Sequence, residues 1–246
     1  MGLLAIIGGT GLTQLEGLVI HEKRSVTTPY GTPSSELILG EFHGKSVVFL
    51  PRHGSDHTVP PHRINYRANI SALHQVGVDK IIAIAAVGGI DENLPPGMLA
   101  VPDQVIDYTY GREQSFFSDD FSADKHIDFT YPYDGILRKA LLSAASSLNI
   151  DIFDGGTYGA TQGPRLETAA EIKRMKQDGC AMVGMTGMPE AYLARELNIN
   201  YASCALMVNW AAGLSDSLIT MADIEQTLAG GMGQVKQLLA EFIQTQ

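Results

Sequence analysis

Apolar positions along the chain fall into two textures that alternate. Runs in which nearly every residue is apolar, such as "LLAIIGG" (3–9) and "DKIIAIAAVGGI" (79–90), predict strands buried on both faces. Between such runs lie segments with apolar residues three and four apart, the spacing of helices. "SELILGEF" (35–42) and "KSVVFLPRHG" (45–54) read as two strands around the tight turn His43-Gly44-Lys45. Helical spacing covers Arg63 to Val76, Asp134 to Leu148 with Asp134 as its cap, and Glu167 to Gln177. "GMLAVPDQVIDYT" (97–109) suits a bent pair of short strands, and "IFDGGTYGATQGP" (152–164) is strand-like. The last third reads strand "CAMVGM", helix "MPEAYLARELN", strand "NYASCALMV", then a terminal helix from about Ala222 to Ile243. Strands alternating with helices, without repeat or linker, imply an α/β fold: a single domain over residues 1–246 with a mixed central β-sheet flanked by helices.

Ligands of such sheets usually lie beyond the carboxyl ends of strands. The glycines and polar residues cluster there, in "GGTG" (8–11), "PRHG" (51–54), "AAVGG" (85–89), "GPRLET" (163–168), "GMTG" (184–187) and "VNW" (208–210). Convergence of these strand ends on one place is therefore expected.

Composition narrows what could bind. The chain has 246 residues, 45% apolar and 18% charged, enough to bury a large core. Its net charge of −10 offers no basic field for nucleic acid or an anionic membrane, so an anionic ligand needs a local site. Small molecules are the expected partners. Cys180 and Cys204 sit in apolar runs without metal-site or redox spacing, which suits reduced core thiols and a cytoplasmic location. The first residues lack a basic segment and break at glycine, as a strand would and a signal peptide would not.

Each cluster admits more than one role. "IIGGTGLTQLEG" lacks the third glycine of a dinucleotide fingerprint, having Gln14 there; its turn could present N–H groups and the Thr10 hydroxyl to an anion, or simply end a core strand. Arg52 with His53 suits a phosphate through the guanidinium fork, ahead of a structural salt bridge. His53, His57 and His62 lack metal-site spacing, so no metal is expected. Thr186 stands between a strand and a helix, where it either helps hold an anion or merely caps the helix. Glu167 taken alone is an ordinary first-turn glutamate, whereas Asn209 at a buried strand end needs both donor and acceptor partners.

Together, "IIGGTG", "RHG…H", "NYRANI", "GGI…PPG", "QGPR" and "MTGMPEAYLARELNINYAS" resemble the trimeric purine nucleoside phosphorylase and methylthioadenosine phosphorylase family across essentially the whole chain. That resemblance implies attack of inorganic phosphate, a co-substrate, on C1′ of a purine nucleoside, with no cofactor and a homotrimeric assembly. It places phosphate at Thr10, Arg52, His53, the Ala86 backbone and Thr186, the ribose over Met185, and Leu166 where the family stacks an aromatic ring. The usual "TTACG" is replaced by "AIAAVGG", which loses a hydroxyl near Ala85. Adenine-specific members show a "DYD"-like pair and "GPRFS"; here stand Asn209 with Ala211, and Glu167 in "GPRLE", as in 6-oxopurine enzymes. An amide can donate to O6 or N7, and Glu167 can accept from N1–H, which neutral adenine lacks. No histidine follows His126, so Met221 takes the place near the sugar 5′ end, and by analogy His126 would reach a neighbouring subunit's site. The implied substrate is 5′-methylthioinosine; methylthioadenosine and ordinary inosine or guanosine are the alternatives.

Overall fold

The computed structural model describes residues 2–245, so that Met1 and Gln246 of the expected 1–246 span lie outside the described residues. Among the described residues, eleven strands join in one mixed sheet. Its centre is a long strand, β5 (Val78–Gly89), preceded in the chain by β1 (Leu3–Gly8), β2 (Val19–Arg24), β3 (Leu37–Phe42) and β4 (Lys45–Pro51). After it come β6 (Leu99–Val101), β7 (Gln104–Asp107), β8 (Ile152–Asp154), β9 (Thr157–Ala160), β10 (Cys180–Gly184) and β11 (Asn200–Trp210). The helices are α1 (Tyr66–Gln75), α2 (Gly135–Ser147), α3 (Ala169–Gln177), α4 (Gly187–Glu196) and α5 (Met221–Gln244). No helix among the described residues is long and apolar enough to cross a membrane.

From Ile81 onward β5 is apolar because it is covered on both faces. Ile81, Ala83, Ala85 and Val87 join the core beneath α1 and α4, while Ile82 and Ile84 face the core with Leu228, Val235 and Leu239 of α5. Successive strand side chains point to opposite faces, so a central strand needs apolar residues at every position. β2, which the sequence pattern did not suggest, is an edge strand paired with β3 and largely exposed, with the polar composition of a guarded edge.

Helix starts follow local chemistry. Asp134 caps α2 by accepting from the Ile136 and Leu137 N–H groups. α3 begins at Ala169 and not at Glu167, since Thr168 and Glu171 form a reciprocal capping box. Glu167 therefore lies just outside the helix, free to turn elsewhere. The helix expected from Arg63 starts at Tyr66, where Asn65 accepts from the Ala68 N–H.

The way strands leave the centre positions the site. β1 runs parallel to β5 only as far as the pair Ile7 and Ala83, and β10 joins β5, antiparallel, at Gly88. Between these points one edge of β5 is left open. β11 continues along the opposite edge to Gly89, with a bulge between Met207 and Asn209. Such irregularities re-aim side chains at strand ends.

Candidate active site

A cavity opens at this gap. It is lined by all six clusters named above, through Gly9 and Thr10, Arg52 and His53, Ala85 to Gly88, Leu166 and Glu167, Gly184 to Thr186, and Val208 with Asn209. Pro61, Val183, Ala212, Ile219 and Ile224 complete it.

The polar end is built from β1, β4 and β5. Backbone pairing of the Arg52 N–H with the Gly8 carbonyl at 3.0 Å ties the ends of β1 and β4 together. Gly9 is required here: a Cβ would meet the Ile84 carbonyl oxygen at 2.4 Å and Arg52 Nη1 at 3.1 Å. Arg52 Nη1 donates to that same Ile84 carbonyl at 2.9 Å, satisfying a group on the open edge of β5. Backbone groups alternate along a strand, so the Ala86 N–H belongs to the edge that carries the Ile84 carbonyl. Ala83 belongs to the other edge, where its carbonyl accepts from Ser203 of β11.

Arg52 is not the free fork that the sequence suggested. Its Nε and Nη2 donate to the Glu190 carboxylate at 2.7 Å each, and both side chains are buried. Burial opposes the guanidinium charge, but Glu190 outweighs it by attraction and hydrogen bonding, so the Arg52 pKa lies above its ordinary value. The salt-bridge alternative is thus realised, while Arg52 still lines the cavity. No sequence pattern links Glu190 to Arg52, because the two lie 138 positions apart.

His53 is 7% exposed, and its Nδ1 lies 2.9 Å from the Val59 carbonyl. That contact fixes Nδ1 as the protonated nitrogen of the neutral ring. Burial, with Arg52 nearby, pushes the His53 pKa down to about 4, so the imidazole is neutral near pH 7. Thr186 precedes α4 without a side-chain capping bond, so the plain cap is not what it supplies; its backbone N–H points to Tyr158 Oη at 3.4 Å. Gly184 allows this packing, as a Cβ would sit 2.0 Å from Tyr158 Oη.

At the other end Glu167 is half-buried, and its Oε1 accepts from the Thr161 hydroxyl at 2.6 Å. Asn209 Nδ2 donates to the Trp210 carbonyl at 2.6 Å. One amide N–H and the Oδ1 of Asn209 have no partner among the described residues. A carboxylate acceptor and an amide that both donates and accepts therefore line one cavity, together with Met185 and Leu166.

Two residues expected in this chain's own site, Met221 and Ala211, do not line it. Met221, the first residue of α5, is 64% exposed, and Ile219 and Ile224 line the apolar wall instead. The buried stripe of α5, followed back from Leu228 by one turn, reaches Ile224, which is the signal that could have found it. Ala211 is buried against Ile90, Ile172 and Val183, and its neighbour Ala212 takes the lining position. The chain turns after Trp210, and the Ala211 N–H returns to the Gly89 carbonyl at 2.9 Å. His126 is exposed, edge-on to Phe121, outside this chain's own cavity.

Known proteins share this chain's sequence and fold. The model of the phosphorylase superfamily matches residues 3–244. A protein of Pseudomonas syringae pv. tomato named "Probable S-methyl-5'-thioinosine phosphorylase" is 54% identical over 99% of both chains. The "6-oxopurine nucleoside phosphorylase" of Pyrococcus furiosus is 42% identical, covering 99% of this chain and 92% of that one. Among solved structures, methylthioadenosine phosphorylase from Schistosoma mansoni in complex with adenine superposes with a TM-score of 0.94 at 31% identity, over 100% of this chain and 91% of that one. With a match over nearly its whole length and a fold that superposes on a nucleoside phosphorylase, this chain belongs to the phosphorylase superfamily, among the nucleoside phosphorylases.

Proposed function

We propose that the chain catalyses phosphorolysis of S-methyl-5′-thioinosine to hypoxanthine and 5-methylthioribose 1-phosphate, the whole chain acting as one domain. The observation that carries this reading is the pairing of Asn209 and Glu167 in a cavity whose remaining wall includes Ile219 and Ile224. Hypoxanthine offers O6 and N7 as acceptors and N1–H as a donor. Asn209 donates to the former, and Glu167, oriented by Thr161, accepts the latter. Ile219 and Ile224 suit a methylthio group, since a 5′-hydroxyl buried against them would lack a partner. The relatives named for methylthioinosine and 6-oxopurine nucleosides support the same base preference.

Phosphate is held by Thr10, Arg52, His53, the Ala86 N–H and Thr186. One of its oxygens attacks C1′ from the side opposite the base, with Met185 beneath the ribose. The C1′–N9 bond breaks, and its electron pair leaves with the purine. Positive charge developing on the sugar is stabilised by the adjacent phosphate, and negative charge on the base by the Asn209 amide. No covalent intermediate with the protein, metal or cofactor is needed for this balance. The chain acts in the cytoplasm as a homotrimer, in which the exposed His126 meets a neighbouring subunit's site; its small-molecule partners are the nucleoside and phosphate.

The test is base release measured with and without phosphate, with kcat/KM compared for methylthioinosine, methylthioadenosine and inosine. Phosphate dependence with methylthioinosine preferred is expected. A strong preference for methylthioadenosine would overturn the base assignment, and undiminished turnover without phosphate would make the enzyme a hydrolase.

A further inference from the structure

Glu190 is fully buried in the first turn of α4, and three hydrogen bonds converge on its carboxylate. Arg52 supplies two of them, and the Tyr201 hydroxyl donates the third to Oε1 at 2.8 Å. Burial of two opposite charges largely cancels their attraction, so such a pair adds little to stability that an apolar pair would not. Its value lies in direction. A guanidinium has five N–H groups in one plane, and three of these are fixed here by Glu190 and Ile84. The plane, and with it the aim of the two remaining N–H groups, is then set.

We propose that Glu190, braced by Tyr201, is the positioning residue for phosphate: it holds Arg52 in the one orientation that presents its remaining N–H groups to the anion. This rests on the assignment of phosphate to Arg52 made above. Glu190 also cancels the formal charge of Arg52, and His53 beside it is neutral. The anion is therefore bound by aimed donors, with little net positive field, and its affinity depends on geometry. A purely Coulombic site behaves oppositely, since removal of the Glu190 charge would tighten it.

Steady-state kinetics with varied phosphate separates the possibilities. Saturable phosphate dependence of the parent enzyme is required first; its absence overturns the phosphate assignment itself. In Glu190→Gln the amide turns an N–H towards one of the Arg52 donors and tips the guanidinium. KM for phosphate is expected to rise about tenfold or more, while kcat at saturating phosphate and hypoxanthine affinity change less than about threefold. Tyr201→Phe leaves the ion pair and loosens only its brace, so a rise in phosphate KM of roughly two- to fivefold is expected. A folded Glu190→Gln enzyme whose phosphate KM is unchanged, or falls, overturns the proposal even when its melting temperature drops. Should Glu190→Gln not fold, Tyr201→Phe decides: unchanged phosphate KM overturns it.

Discussion

Replacement of Asn209 by aspartate tests the base reading most directly, because the structure gives the side chain two separable duties. Its Nδ2 donates to the Trp210 carbonyl at 2.6 Å, and its remaining donor is assigned to the 6-oxo group or N7. In Asn209→Asp an ionised carboxylate would oppose both the Trp210 carbonyl and the O6 of a 6-oxopurine. Each unmatched acceptor pair costs about 1–3 kcal/mol. The Trp210 term is present whichever nucleoside is bound, so it lowers stability and cancels from substrate preference. The O6 term penalises only the 6-oxopurine. Methylthioadenosine, with a 6-amino donor, is spared. The ratio of kcat/KM for methylthioinosine to that for methylthioadenosine should therefore fall by roughly 5- to 150-fold, at about 1.4 kcal/mol per tenfold. Proximity to the Trp210 carbonyl favours a protonated carboxyl, which can donate as the amide does, so the fall should deepen as pH rises. The assay is steady-state release of both bases at saturating phosphate over a pH series, with the melting temperature as a control. A ratio within twofold of the parent in a folded variant would falsify the idea that Asn209 reads position 6.

Two further outcomes follow from other parts of the cavity. His53 has a folded pKa of about 4 against about 6.5 when unfolded, so between these values the unfolded chain binds the extra proton and stability rises with pH. The difference corresponds to about 3 kcal/mol, present above pH 6.5 and lost as pH falls towards 4. Denaturant unfolding at pH 7 and 4.5 should show a smaller loss in His53→Gln than in the parent; equal losses would contradict the assignment. Ile224→Ser should reduce kcat/KM for methylthioinosine relative to inosine by roughly 5- to 30-fold, the loss of about 1–2 kcal/mol of apolar contact. An unchanged ratio would place the 5′ group elsewhere.

Much of the fold was legible because it rests on local signals. β5 and β11 announce themselves by long, mostly apolar runs, since burial on both faces leaves few polar positions, and Asp134 caps α2 as its spacing suggests. The exposed edge strand β2 carries no such pattern and was missed. Within the site, glycine and polar residues at strand ends identified the lining clusters: β1, β4, β5 and β11 run parallel and end on one side, while β10, antiparallel to β5, ends at the gap with β9 beside it. What failed were side-chain directions after an element ends. Ala211 and Ala212 differ by one position and Met221 and Ile224 by less than one helical turn, yet in each pair only the second lines the cavity.

By itself the sequence determined the strand and helix alternation and the clusters of chemistry at strand ends, Asn209 and Glu167 among them. These are properties of residue type and spacing. Only the tertiary structure decided that β1 and β10 leave a gap on one edge of β5, that Arg52 spends its fork on Glu190, that Thr161 holds Glu167, and that Ile219 and Ile224 close the apolar wall. Each depends on partners brought together by packing, and a linear pattern does not carry the direction in which a buried side chain must point to satisfy them.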